Sequence, residues 1–169
     1  LWEAWFDRYE TYITEYAALA NELDVDMLSI GQELSGAQNR DENWRKIVAA
    51  VRKEYDGPIL FSAGQNWLDI TWWDAVDAIG IHPYDIFLSD HDNPTVDEMV
   101  EYLTPVVDQL EVLSEEFDRP VIITELAYSS IDGISAGDWI YYQPDTTYEV
   151  DLQEHADVYE ALIKAFSGR

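Results

Sequence analysis

Four short apolar runs, at residues 27–33, 59–63, 76–82 and 121–126, alternate with segments of helical spacing in this chain. No other feature constrains the fold as strongly. A strand that is apolar on both faces must be covered on both, and parallel strands need crossovers of a dozen or more residues. Helices supply both cover and crossover, so the order αβαβαβαβα predicts a parallel sheet layered with helices. In the first helix, 2–23, apolar residues step by threes and fours from Trp2 through Trp5, Phe6, Tyr9 and Ile13 to Leu23. A second helix, 41–55, has acids in its first turn and Gly57-Pro58 beyond its end. A short helical piece is expected near 67–73. Asn93-Pro94 reads as the N-cap of a helix reaching Phe117, with Pro105 as a point of bending. The last helix covers 150–166 and ends before Gly168. Long loops occupy 83–93 and 127–147.

The strands distinguish an open sheet from a barrel. By strict alternation Leu28 and Ile30 share one face of the first strand, and Ser29, Gly31 and Glu33 the other. In the third, Ile79 and Ile81 oppose Ala78, Gly80, His82 and, just beyond, Tyr84. Small residues leading to a polar one at the C-terminal end suit the inside of a (β/α)₈ barrel, whose catalytic residues come from that end. A whole barrel needs about 250 residues, and this chain has 169. The expectation is a partial TIM barrel, about strands 4 to 7 with flanking helices, forming one catalytic domain fragment over residues 1–169. Leu1 opens the sequence without a Met and runs straight into a helical pattern, which reads as a chain cut from something longer.

The charge narrows the partners. Thirty-five acids face nine Lys and Arg, a formal net charge of −26. Such a field repels nucleic acid and anionic membrane and disfavours a polyanionic substrate. The acids are dispersed rather than blocked, as on a surface adapted to high salt, where self-repulsion is screened. No apolar run approaches the roughly 20 residues that span a bilayer. There is no Cys, which removes disulfides, thiolate metal sites and Cys nucleophiles together. The compartment stays open, with an extracellular setting favoured, and the oligomeric state is not legible.

Glu33 and Glu125 are the leading functional candidates, because each closes an apolar strand. A carboxylate there needs a partner, a shifted pKa or a job. Two carboxylates flanking one bond are what glycoside hydrolysis requires. The structural alternative is ion pairing, with Arg45 or Arg52 as partners. His82 and Tyr84 end the third strand, where they can orient a carboxylate or touch a sugar hydroxyl. Trp139, Tyr141 and Tyr142, in the long loop past Glu125, suit the apolar face of a pyranose ring, and Trp67, Trp72 and Trp73 also lie in or beside loops. The loop carrying Asp85, Asp90, His91 and Asp92 fits neither an EF-hand nor an H-E-x-x-H motif, and no metal or cofactor is expected. No G-x-S-x-G elbow, P-loop or dinucleotide fingerprint occurs.

A Glu closing one strand, a His-x-Tyr closing the second strand after it and a Thr-Glu closing the next resembles the retaining (β/α)₈ glycoside hydrolases of clan A. The details are most similar to glycoside hydrolase family 113, the β-mannanases. The stretches that carry the resemblance are Ile30-Gly31-Gln32-Glu33-Leu34, Asn43-Trp44-Arg45-Lys46-Ile47-Val48, Trp72-Trp73-Asp74 with Ile79-Gly80-Ile81, and Arg119-Pro120-Val121-Ile122-Ile123-Thr124-Glu125-Leu126-Ala127-Tyr128. The resemblance implies Glu33 as general acid/base, Glu125 as nucleophile and Tyr84 as a hydrogen-bond donor to the nucleophile. Gln32 stands where many clan members carry an Asn that binds the sugar 2-hydroxyl. The implied activity is retaining hydrolysis of a β-linked oligo- or polysaccharide, β-1,4-mannan foremost, with no cofactor. Two alternatives stay open: a non-catalytic carbohydrate-binding or structural protein on this scaffold, and a self-contained four-stranded α/β domain.

Overall fold

The computed structural model describes residues 1–64, 66–82, 88–136 and 147–168. Helix α1 (Trp2–Glu22) leads to strand β1 (Leu28–Gln32), helix α2 (Asp41–Glu54) and strand β2 (Ile59–Ala63). Two 3₁₀ turns, Trp67–Asp69 and Trp73–Ala75, precede β3 (Ala78–Ile81); α3 (Val96–Phe117), β4 (Val121–Ile123) and α4 (Leu152–Phe166) follow. The four strands form one sheet in the order β1-β2-β3-β4, and every pairing is parallel. Among the described residues β1 and β4 are the sheet edges, and the three apolar residues of β4 stay only half-buried.

Chain contacts gather the residues into two compact units: residues 1–82 with 114–125, and residues 83–113 with 126–169. The first unit holds the sheet. Its core is aromatic: Trp44 and Trp72 stack with centroids 5.1 Å apart and planes 10° apart, and Phe61 stands edge-on to Trp72 at 5.1 Å. Buried indole N–H groups need acceptors. Trp44 Nε1 donates to Ala37 O (2.9 Å), Trp72 Nε1 to Gln38 O (2.7 Å) and Trp73 Nε1 to Trp67 O (3.1 Å). The first two bonds tie the segment after β1 to the core, which fixes the exit of that strand. Trp72 and Trp73 are fully buried, so the sugar-facing role considered for loop aromatics does not apply to them; their rings fill the core.

At the N-terminal end of the sheet the bonds are polar. Tyr55 Oη donates to Val25 O at 2.6 Å. Gly57 lies beneath that ring, where a Cβ would come within 2.2 Å of the Tyr55 hydroxyl oxygen. Arg119 donates from Nε to Val76 O (2.6 Å) and from Nη2 to Asp74 O (2.8 Å), joining the entry of β4 to the entry of β3.

Strict alternation fails in β1. Leu28 pairs with Ile59 and Ser29 with Leu60, but Gln32 pairs with Ser62. Three steps on β1 match two on β2, which is a β-bulge at Ile30 and Gly31. A Cβ on Gly31 would meet the Phe61 ring at 2.8 Å, so this residue faces the aromatic core rather than the face of Ser29. Tyr9 of α1 donates its hydroxyl to Ile30 O (2.8 Å), within the bulge.

The second unit packs α3 and α4 around Leu88, Met99, Leu103, Val107, Ile134, Val158 and Leu162. The α3 cap is Thr95, not Asn93-Pro94: Glu98 N donates to Thr95 Oγ1 (3.3 Å) while Thr95 N donates to Glu98 Oε2 (2.8 Å). This reciprocal capping box satisfies two groups at once, whereas a cap at Asn93 would satisfy one. Asp151 caps α4 through the backbone N–H groups of Gln153 and Glu154.

Candidate active site

All four strands end on the same side of the parallel sheet, and four polar side chains gather there. The β1 bulge turns Gln32 and Glu33 out of the core; both are exposed. Glu33 N still donates to Ser62 O (3.0 Å), so the residue remains tied to β2. Its backbone has left the strand, with φ at 51°. Five non-glycine residues have positive φ among the described residues, and the other four are Asp or Asn, which tolerate this region. Glu has no such excuse, and a non-glycine residue held there costs on the order of 1–3 kcal/mol. Such strain concentrates at functional sites.

His82, just past β3, is 1% exposed. Its Nδ1 lies 3.1 Å from Ser62 Oγ, and its Nε2 lies 2.8 Å from Glu33 Oε1. That oxygen approaches off the ring N–H axis, so the two side chains lie close without an aligned hydrogen bond between them. Gly64, at the end of β2, makes room for the encounter: a Cβ there would be 2.7 Å from His82 Nε2 and 3.3 Å from Glu33 Oε1. Below, Ser62 Oγ contacts Thr124 Oγ1 at 2.5 Å, and Thr124 Oγ1 donates to Ile81 O at 2.9 Å. Thr124 N donates to Ile81 O as well (2.7 Å), extending β4 to the threshold of Glu125. Glu125 is half-buried, and the Gln32 amide donates to its Oε1.

The structure thus brings together Gln32, Glu33, His82 and Glu125. Tyr84, Trp139 and Tyr141, with Tyr142 and Asp85, lie outside the described residues. The ion-pair alternative fails on its named partners. Arg45 forks onto Asp74 at 2.8 and 2.9 Å and reaches Asp41 at 2.6 Å, while Arg52 pairs with Asp77 at 2.7 Å. Glu33 was expected at the end of a buried strand, yet 57% of its side chain is accessible; the bulge and the positive φ carry it outward. Sequence reasoning missed Ser62, Gly64 and Thr124. A lone hydroxyl inside the apolar run of β2 was the signal for Ser62. Among the described residues three acids, Asp132, Asp151 and Glu154, also lie close enough to share a cation. Glu154 there already accepts from Gly133 N and Ser135 N, and Asp151 caps α4.

Chemically, the cluster offers two carboxylates from different strands, one beside an imidazole and one beside an amide. The model of Glycoside Hydrolase Family 113 matches residues 1–169. Among solved structures, the chain is similar to the GH113 β-mannanase AaManA of Alicyclobacillus acidocaldarius in complex with ManMIm, at 28% identity and a TM-score of 0.81, covering 99% of this chain and 49% of that one. A GH113 β-1,4-mannanase matches at 26% identity and 0.78, covering 100% and 50%. A β-glucuronidase of an uncultured Clostridium sp. shares the fold alone, at 17% identity and 0.62, covering 93% and 26%. No curated protein sequence matches the chain. The chain spans about half the length of the mannanases it matches, as a partial (β/α)₈ barrel does.

Proposed function

The chain belongs to glycoside hydrolase family 113, and from that premise we propose that it carries both catalytic glutamates of a retaining enzyme acting on β-1,4-mannan. One observation carries the reading: the amide of Gln32, the residue next to Glu33, donates to Glu125. That bond joins the ends of the two edge strands, which supports two carboxylates acting on a single glycosidic bond.

The reaction is a double displacement. A Glu125 oxygen attacks the anomeric carbon and forms a C–O bond to it. The bond from that carbon to the leaving oxygen breaks, and that oxygen takes the proton of the Glu33 carboxyl group. Glu33, now a carboxylate, removes a proton from water; the water oxygen attacks the same carbon and expels Glu125. Both groups return to their starting forms. Gln32 restrains rotation of the nucleophile carboxylate through Oε1, a role that differs from the sugar contact expected of this position. Tyr84 as a further donor to Glu125, and Trp139 and Tyr141 as sugar platforms, complete the proposed site.

Glu125→Gln in the full-length protein should abolish mannan hydrolysis. Glu33→Ala should lose about 10²–10⁴-fold in turnover of mannan, and on a dinitrophenyl β-mannoside, whose leaving group needs no proton, azide should accelerate it by attacking the glycosyl-enzyme to give a β-glycosyl azide. Full activity in either variant contradicts the reading. In a substrate complex the two carboxyl groups should lie about 5–5.5 Å apart, and a spacing near 9 Å would indicate inversion. Calorimetry showing mannan oligosaccharides bound but not turned over would favour the non-catalytic alternative.

A further inference from the structure

We propose that Tyr9 and Ser29 are positioning residues for the acid/base: their hydroxyls clamp the two carbonyls of the β1 bulge and so fix where Glu33 stands. The proposal rests on the assignment of Glu33 as acid/base and deepens it.

A general acid must come within hydrogen-bond reach of the leaving oxygen, and a misplacement of about 1 Å can cost on the order of 10²-fold in rate. Glu33 is exposed and lies just beyond the bulge, so the backbone that leads to it sets its direction. The bulge is bounded by the pairing of Ser29 with Leu60 and by the bond from Glu33 N to Ser62 O (3.0 Å). Between these points two consecutive carbonyls each accept from a side-chain hydroxyl. Ile30 O accepts from Tyr9 Oη at 2.8 Å, and Gly31 O accepts from Ser29 Oγ at 3.1 Å. A bulge disrupts the ladder locally, and the two side-chain donors hold it to one shape. The Phe61 ring closes the core side, within 2.8 Å of where a Cβ on Gly31 would lie. Tyr9 is itself held. Its ring stacks on Trp5 (centroids 4.9 Å apart, planes 7° apart) and stands edge-on to Trp44 (5.7 Å, 75°). Trp44 in turn donates from Nε1 to Ala37 O (2.9 Å), beyond Glu33. One ring cluster therefore grips the chain on both sides of Glu33, at Ile30 and at Ala37. Tyr9→Phe keeps the ring contacts and removes only the bond to the bulge.

Kinetics of the full-length protein on two substrates decide it. Tyr9→Phe and Ser29→Ala should each lower kcat/KM for mannotetraose about 10-fold, yet leave kcat/KM for a dinitrophenyl β-mannobioside, whose leaving group needs no proton, within about two-fold. Tyr55→Phe is the control. It removes a hydroxyl bond of the same kind, to Val25 O at 2.6 Å, at the other end of the sheet, and should leave both substrates unchanged. An equal loss on both substrates, wild-type activity in Tyr9→Phe or in Ser29→Ala, or the same selective loss in Tyr55→Phe overturns the proposal and marks the two hydroxyls as supports of the fold alone. Glu33→Gln run alongside separates the two levels: undiminished mannotetraose turnover there removes the acid/base assignment and the proposal with it, whereas the expected loss there leaves the Tyr9 and Ser29 results to judge the proposal alone.

Discussion

At the scale of the residue, Glu33 concentrates what is unusual about this site. It is exposed, held at φ 51° and set against a buried imidazole. A side chain kept in a costly backbone conformation without burial is retained for something other than stability. Asn is at ease in this region and Gln is not. Glu33→Asn should therefore unfold at higher denaturant than Glu33→Gln, by about 1 kcal/mol, with both variants equally inactive on mannan; equal midpoints would mean that the backbone strain does not belong to this position. The sequence showed Glu33 and Glu125 as candidates because each closes an apolar run. It could not show Ser62, Gly64 or Thr124 as their support. A serine in a strand or a glycine after one gives no sign of what will stand opposite until the register is known.

At the scale of the element, helices were legible almost to their ends, because periodicity and flanking Gly and Pro mark them, while the strands were legible in place but not in length: β4 stops at Ile123 rather than Leu126, and β3 spans Ala78–Ile81 rather than 76–82. The faces of β1 were not legible. One inserted residue reverses every side chain beyond it, and nothing in Ser29-Ile30-Gly31-Gln32 announces the insertion except the glycine that fits against Phe61. The α3 cap was misplaced for a similar reason: Asn93-Pro94 looks like a cap, but Thr95 and Glu98 satisfy each other better. Tyr9 of α1 steadies the bulge through Ile30 O. Burial, with Tyr12 as a lesser cause, pushes its pKa up to about 12, against about 10 in an unfolded chain. Tyr9→Phe should cost about 1 kcal/mol at neutral pH. Because the folded value is raised, the contribution is whole below pH about 10 and is lost as pH rises through about 12. Urea unfolding of both proteins at pH 8 and near pH 12 should show the gap closing; a gap that persists would place the hydroxyl bond elsewhere.

At the scale of the whole molecule, composition spoke more clearly about solvent than about architecture. A net charge of −26 on 169 residues is self-repelling, and the repulsion weakens as the screening length falls from about 10 Å at 0.1 M salt to about 3 Å at 1 M. The melting temperature should rise steadily over that range of sodium chloride, and a flat or falling curve would count against salt adaptation. The partial barrel was legible from strand count against length, while the division into two compact units was not, because nothing in the sequence marks where the contacts thin. That division has an optical consequence. Six of the seven tryptophans, including the stacked pair Trp44 and Trp72, belong to the unit that holds the sheet. Intrinsic tryptophan fluorescence will therefore report on that unit almost alone, whereas tyrosine absorbance samples both. Where the two signals diverge during unfolding, the difference in colour records one half of the chain melting without the other.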